Sequence, residues 1–312
     1  MIINSGNRTD IPAFFSDWFY NRVREGYALV RSPYAPLRVT RYRLDPSVVD
    51  GLVFCSKNPQ PMLERLDELN RFRLFFMVTI TPYGKDIEPG VPDKHQVMES
   101  VRLLSKKIGS SCVYWRYDPI FISEKYSVDY HIRAFEEMAS FLEGSLQHCV
   151  ISFIDLYEKT KKNFPEVRTV TQEDRNRIGE AFSRIGREHG IRLHTCLEGE
   201  DMAAFGIDTS GCMTKEKLEE AWDIRLKVPF QAQSAREGCR CLLGGDLGAY
   251  NTCRHFCRYC YANYDRATVL RNAADHDPQS PFLIGHAKPG DIVREATQIS
   301  WLRQSEQLTL KI

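Results

Sequence analysis

Apolar runs of strand length alternate with stretches of helical spacing along most of this chain, and that alternation limits the fold more than any other feature. Residues 1–4, 51–55, 74–80, 112–116, 149–153 and 191–195 read as strands, and 74–80 is rich in β-branched and aromatic side chains. Helical spacing marks 13–24, 61–70, 96–108, 128–142, 174–188 and 215–222. In the first of these, Phe14, Phe15, Trp18, Phe19 and Val23 share one side. Thr171 and Asp174 are placed as a capping box ahead of Ile178, Phe182 and Ile185 on one face. Residues 27–31 and 39–42 form a candidate hairpin around Pro33 and Pro36, and 245–250 a last strand. Strands separated by helices predict βα units and a parallel sheet. About seven or eight such units predict an α/β fold with one closed or partial (β/α) barrel. A doubly wound open sheet is the alternative, which periodicity alone does not decide.

The chain divides by composition into a barrel body at 1–235, a cysteine-rich loop completing it at 236–271, and a tail at 272–312. The tail holds Pro278, Pro281 and Pro289, shows no clear strand, and reads as a wrap with one short helix at 292–303. With 42 basic against 41 acidic residues, bulk charge gives no support for nucleic-acid binding. Hydrophobic content of 43% at a net charge of +1 argues against disorder. No apolar run approaches the ~18–20 residues of a membrane span. The first residues, MIINSGNRTD, do not read as a secretory signal. The expected setting is the cytoplasm, away from membranes, where clustered thiols point to metal or redox chemistry rather than disulfides.

Five of the ten cysteines lie between Cys239 and Cys260. Cys253, Cys257 and Cys260 have the spacing C-x3-C-x2-C, with the aromatic Tyr259 before the last. Three thiolates on one short loop suit three irons of a [4Fe–4S] cluster and leave the fourth iron open. A zinc site would need a fourth ligand such as His255, crowded into the same few residues. Cys196, Cys212, Cys239 and Cys241 form a candidate second site for an iron–sulfur cluster or zinc; otherwise Cys239 or Cys241 caps the first cluster. Cys55, Cys112 and Cys149 lie in apolar runs and read as small hydrophobes.

Barrel enzymes carry their chemistry at the C-terminal ends of the strands. Those ends hold Arg8-Thr9-Asp10, Ser56-Lys57-Asn58, Thr79, Thr81-Pro82-Tyr83, Arg116-Tyr117-Asp118, Asp155, Tyr157, His194, Cys196 and Glu198. The runs RTDIP at 8–12 and RYDP at 116–119 each place an Arg and an Asp ahead of a Pro. Asp10, Arg116 and Asp118 are therefore the candidates for catalytic contacts to cofactor or substrate; a local Arg–Asp pair holding a loop is the plainer alternative. Around the cysteines, Arg236, Arg240, Arg254, Arg258, Arg266 and Arg271 face Glu237, Asp246 and Asp265. Such a field stabilises thiolates and suits an acidic flavodoxin- or ferredoxin-type reductant. Tyr250, Phe256, Tyr259, Tyr261 and Tyr264 are placed to shield a cluster from water.

The cysteine spacing with its aromatic resembles the cluster motif of the radical S-adenosylmethionine (radical SAM) superfamily. The resemblance implies a [4Fe–4S] cluster whose open iron takes the amino and carboxylate groups of S-adenosylmethionine. It also implies reductive cleavage of that cofactor, hydrogen abstraction from an unspecified small-molecule substrate, and a full or partial barrel. RTDIPAFF at 8–15, VFCSKNP at 53–59, WRYDPIFI at 115–122 and CRCLLGGDLGAYNTCRHFCRYCYAN at 239–263 are similar to a bacterial family of unknown function with a C-terminal cysteine cluster. That similarity covers nearly the whole chain. In the superfamily the cysteine loop follows the first strand, whereas here it follows Tyr250, which implies a circular permutation with the cluster strand beside residues 2–4. The loop at 5–10 then takes the place that binds the methionine amino group. Asn7, Asp10 and Tyr259 are accordingly the cofactor-side candidates. Gly244-Gly245-Asp246 precedes the cysteines and reads as a turn. The alternatives are a fully ligated [4Fe–4S] electron carrier or sensor, and a zinc-stabilised binding protein.

Overall fold

The computed structural model describes residues 1–155, 160, 163–229, 238–242 and 244–302. Tyr157, Arg236 and Glu237, named above, lie outside the described residues. In chain order the elements are β1 (Ile2–Asn4), α1 (Ile11–Phe14), α2 (Ser16–Glu25), β2 (Tyr27–Arg31), β3 (Arg38–Arg43), β4 (Gly51–Ser56), α3 (Gln60–Leu63) and β5 (Arg73–Thr79). There follow α4 (Lys94–Ile108), β6 (Val113–Ile120), α5 (Val128–Leu142), β7 (His148–Phe153), α6 (Gln172–Glu188) and β8 (Arg192–Thr195). The last are α7 (Lys215–Trp222), β9 (Gly245–Asp246), α8 (Arg266–Ala274) and β10 (Ile292–Glu295).

β4 and β5 are nearly continuous apolar runs and are buried along most of their length, as strands of a covered parallel sheet are. The helices against them are amphipathic. In α5, Val128, His131, Phe135, Met138, Ala139 and Leu142 recur at three- and four-residue steps and are buried. Trp115 of β6 stacks on Phe135, and Phe135 on Phe182 of α6, with ring centroids 4.7 and 3.9 Å apart. α6 begins at the expected Thr171–Asp174 capping box. The helix expected at 13–24 is two helices instead. Asp10 caps α1 ahead of Pro12, and the backbone breaks from helical geometry at Phe15 before α2 starts.

A seven-stranded parallel sheet forms in the order β8-β7-β6-β5-β4-β1-β9. From β1 to β8 each new strand of this sheet is added on the same side, so the order lacks the reversal of a doubly wound sheet. β9 lies on the other side of β1, with Ile3 opposite Gly245, so the strand ahead of the cysteine loop neighbours the first strand. Of Gly244-Gly245-Asp246, expected as a turn, the last two residues thus enter the sheet. The sheet is not closed: β8 and β9 are its edges. A two-residue β9 offers too little ladder to pair on both sides. The interval between the edges is spanned by a loop. Thr195 N donates to Asp208 O (2.9 Å) and Asp208 N to Leu193 O (3.0 Å) beside β8, and Leu242 N donates to Met213 O (2.9 Å) just ahead of β9.

β2 and β3 pair as the expected antiparallel hairpin, and β10 joins β3 in parallel to make a second, three-stranded sheet. The tail therefore carries a strand where a helix at 292–303 was expected. Its β-branched Ile292 and Val293 extend the open edge of β3, and Glu295 pairs with Arg41 (3.0 Å). Farther upstream the tail caps α2: Trp18 Nε1 donates to Ser280 O, and Arg22 to Gln279 O, both at 2.9 Å. The main core runs from Met1 to Trp301. A smaller cluster of Tyr83, Ile87, Phe121, Tyr126 and Phe164 lies apart, with Tyr259 packed on it. No helix of the described residues is long and apolar enough to cross a membrane.

Candidate metal centre

The C-terminal ends of β1, β4 and β5 meet under the loop that follows β9, and Asp10 is the hub. Its Oδ1 accepts from Ala13 N (3.0 Å) and Ser56 Oγ (2.7 Å); its Oδ2 accepts from Lys57 N (2.7 Å) and His255 Nε2 (2.8 Å). An ionised carboxylate offers about four acceptor sites, and these donors fill them. Asp10 therefore ties α1, the end of β4 and the cysteine loop together. His255 faces Gly90 O through Nδ1 (3.2 Å). Both ring nitrogens are turned to oxygen atoms of the protein, so His255 is not the fourth zinc ligand that its position in sequence offered.

The segment after β5 cradles the same loop. Gly90 N donates to His255 O (2.9 Å) and Arg258 N to Ile87 O (3.0 Å). A Cβ at Gly90 would stand 2.3 Å from Arg254 O, so only glycine allows this approach. Glu88 sits below, fully buried. It accepts from Lys57 Nζ (2.8 Å) and Thr81 Oγ1 (2.6 Å), and also binds Lys94 Nζ and the Tyr259 hydroxyl. Burial pushes the Glu88 carboxyl up, but Lys57 and Lys94 overcome it and hold the pKa at about 2. Glu88→Gln leaves two partly buried cations without their shared anion. It is expected to destabilise the fold by about 3–5 kcal/mol, and an unchanged urea midpoint would refute this ion triad.

Cys253, Cys257 and Cys260 come together on this platform and act on one another electrostatically. Burial pushes the Cys257 thiol up to about 12, with Lys57 opposing it. Cys253 is raised by burial, then by the negative charge of Asp10, Cys260 and Cys257. Half-buried thiols raised in this way ionise when a cation supplies the missing positive charge. Tyr259 lies between Glu88 and Tyr83, with Lys57 5.6 Å from its ring centre. The carbonyl of Asn7 accepts from the Tyr261 hydroxyl.

Arg116 and Asp118 pair with each other on β6, the local Arg–Asp pair of the plainer reading. Arg8 does not pair with Asp10; it reaches Asp246 of β9 (2.7 Å). Arg116 feels Cys55, Cys196 and Cys212, and Tyr261 feels both Arg116 and Cys260. The guanidinium thus stands between two groups of cysteines. The second group is Cys196, Cys212 and Cys241, with Cys212 Sγ 3.5 Å from Cys196 Sγ and 3.2 Å from Cys241 Sγ. These three sulfurs all lie within 4.8 Å of one another, an arrangement that can bind a metal. Cys241 is therefore a member of the second group and not a cap on the first. Cys239 stands outside this trio, although its charge acts on Cys241.

Other expected residues serve elsewhere. His194 bonds His148 (2.8 Å) and Asp208 (3.0 Å), and Glu198 accepts from Ser152, Phe153 N and Arg175. Asp155 follows β7. Glu88 and Lys94 escaped the sequence reading. The only trace of Glu88 is an acidic residue beside Pro89 and Gly90 soon after a strand, and Lys94 looks like any first-turn residue of a helix.

No curated protein matches this chain. The model of the family described as Domain of unknown function (DUF1848) matches residues 2–262, from β1 through the whole cysteine loop, and the chain belongs to that family.

Proposed function

We propose that Cys253, Cys257 and Cys260 hold a [4Fe–4S] cluster with one iron open, and that the chain is an S-adenosylmethionine-dependent radical enzyme of the kind its cysteine spacing resembles. One observation carries this reading. The three thiols of the C-x3-C-x2-C loop gather over the C-terminal strand ends, near enough for the charge of Cys260 and Cys257 to act on Cys253 and that of Cys260 on Cys257. The donor set is all sulfur, which suits iron–sulfur chemistry. Once bound, such a cluster supplies the electron that cleaves the carbon–sulfur bond of S-adenosylmethionine.

The protein's own residues do the rest. Asp10 and His255 fix the loop to the ends of β1 and β4. Lys57 puts positive charge beside Cys257. Tyr259 and Tyr261 exclude water above them. Asp118 and the backbone of Asn7 are the groups we assign to a small-molecule substrate and the cofactor. The seven-stranded sheet is read as a barrel open between β8 and β9. Arg254 and Arg266 form the face for an acidic flavodoxin- or ferredoxin-type reductant, in a reducing compartment such as the cytoplasm.

The test is anaerobic reconstitution with iron and sulfide, then electron paramagnetic resonance of the reduced protein with and without S-adenosylmethionine. A cubane signal that shifts on adding the cofactor is expected. A cubane signal indifferent to it would mean a ligated electron carrier or sensor instead.

A further inference from the structure

Three thiols meet at the seam where the parallel sheet stays open. Cys196 follows β8, one edge of the sheet, and Cys241 lies just ahead of β9, the other edge. Cys212 belongs to the loop that spans the interval. The sulfur separations of 3.2 and 3.5 Å are the decisive geometry. Thiolates ~2.3 Å from a tetrahedral zinc stand ~3.8 Å from each other. That is close to the spacing here, and cubane thiolates stand farther apart.

The loop is shaped around this group. Gly211 has φ +121°, and a Cβ there would lie 3.8 Å from Cys241 Sγ and 3.3 Å from Thr214 Cγ2. Met213 N donates to Cys241 Sγ (3.3 Å), the kind of backbone donor that orients a metal-bound sulfur. Buried Lys217 braces the loop through Ser210 Oγ (3.0 Å), Asp208 (2.9 Å) and Gly211 O. Cys239 is half-buried, two residues from Cys241, and its charge already acts on that thiol. It is the donor we assign to complete a tetrahedron.

We propose that Cys196, Cys212, Cys241 and Cys239 bind one zinc ion, which clasps the β8 edge of the sheet to its β9 edge. A zinc closed by four protein thiolates is structural and takes no substrate. Four thiolates around Zn²⁺ leave a net negative charge, and Arg116 supplies the facing cation. This assignment does not depend on the radical-enzyme reading, since it uses different cysteines.

Elemental analysis of the anaerobically purified full chain tests it. One zinc per chain is expected, separate from any iron. Cys212→Ser is expected to lower zinc by about tenfold or more while iron on the other loop stays. Cys257→Ser is expected to do the reverse. Loss of zinc alone, or of iron alone, thus distinguishes failure of one site from failure of the other. Should Cys212→Ser misfold, the wild-type chain refolded with cobalt(II) gives a second measurement. Tetrahedral ligand-field bands with sulfur-to-cobalt charge transfer are expected. Iron in place of zinc at this site, no second metal after refolding with zinc, or cobalt spectra without thiolate bands would each overturn the proposal.

Discussion

Alanine at Cys257 is expected to abolish iron binding on the C-terminal loop, taking the reconstituted chain from about four irons to background. Cys257 is the middle of the three loop cysteines and the one nearest the Lys57 charge. Removing it leaves two thiolates and a buried gap beside a lysine, which cannot hold a cubane. The fold should survive, because none of the three loop cysteines belongs to the main core. Far-ultraviolet circular dichroism should match the wild type while the visible absorption of the cluster disappears. Cys149→Ala is the useful contrast. That thiol is buried in β7, so the change should cost stability and leave iron untouched. Full iron in the Cys257 variant would remove this loop from the list of metal sites.

Acid is expected to unfold this chain as pH falls toward the range in which ordinary carboxylates titrate. Of the four buried histidines, three sit where burial holds the charged ring down. His131 accepts from Tyr117 Oη at Nδ1 (2.8 Å) and faces Phe121 O at Nε2 (2.9 Å), a pattern that fits the neutral ring. His148 and His194 face each other at 2.8 Å, so one nitrogen of the pair must lack a proton, and Tyr114 stacks on His148. Burial holds His131 and His194 down at about 4 and His148 at about 3; Lys217 adds to the effect at His194, and His194 adds to it at His148. Unfolded, each would titrate near 6.5. Below that pH the unfolded chain takes up protons that the folded chain refuses, so stability present above pH 6.5 is lost as pH falls. Each histidine contributes about 1.4 kcal/mol per pH unit of loss down to its folded value. Near pH 5 the three together approach about 4 kcal/mol per unit. Glu88 adds loss of the same sign from about 4.5 down to about 2. His189, raised by Glu143 and Glu136, works the other way, but its partners are exposed and screened. A domain of about 5–10 kcal/mol, the lower part of the ordinary range, should therefore unfold between roughly pH 5 and 4. Urea midpoints measured across that range test this, and a midpoint that stays level would refute it.

The parts of this fold that were legible in the sequence are those whose environment is set locally. α5 and α7 begin and end where their spacing predicts, since each starts at a side-chain cap and buries one regular face. β4, β5 and β7 announce themselves because both of their faces are covered. Strand β10 did not, because all four of its residues are exposed and its only reason to be extended is β3, far away in sequence. The open seam was illegible for a similar reason: it depends on how few residues β9 pairs, not on their type. At the site, spacing alone identified Cys253, Cys257 and Cys260. It could not assign Cys241 between the two groups, because only the fold brings that thiol onto Cys212. Asp10 was recognised as important but given a ligand to bind. Its four donors come from three separate segments, and no local pattern encodes that convergence.

The pairing of β1 with β9 has a consequence for how the protein is made. The partner of Asn4 is Asp246, so one side of the very first strand stays unpaired until nearly the whole sheet has been translated. At ~5–20 residues per second, that edge waits on the order of ten to fifty seconds on the ribosome. During this interval the nascent chain presents a bare strand of the kind that recruits other chains. The cysteines of both candidate centres leave the ribosome later than the strands from β1 to β8 that will carry them. Any metal taken up by these thiols would therefore enter at the end of biogenesis, on a scaffold already assembled. A premature stop anywhere before β9 would leave an aggregation-prone fragment rather than a shorter functional protein.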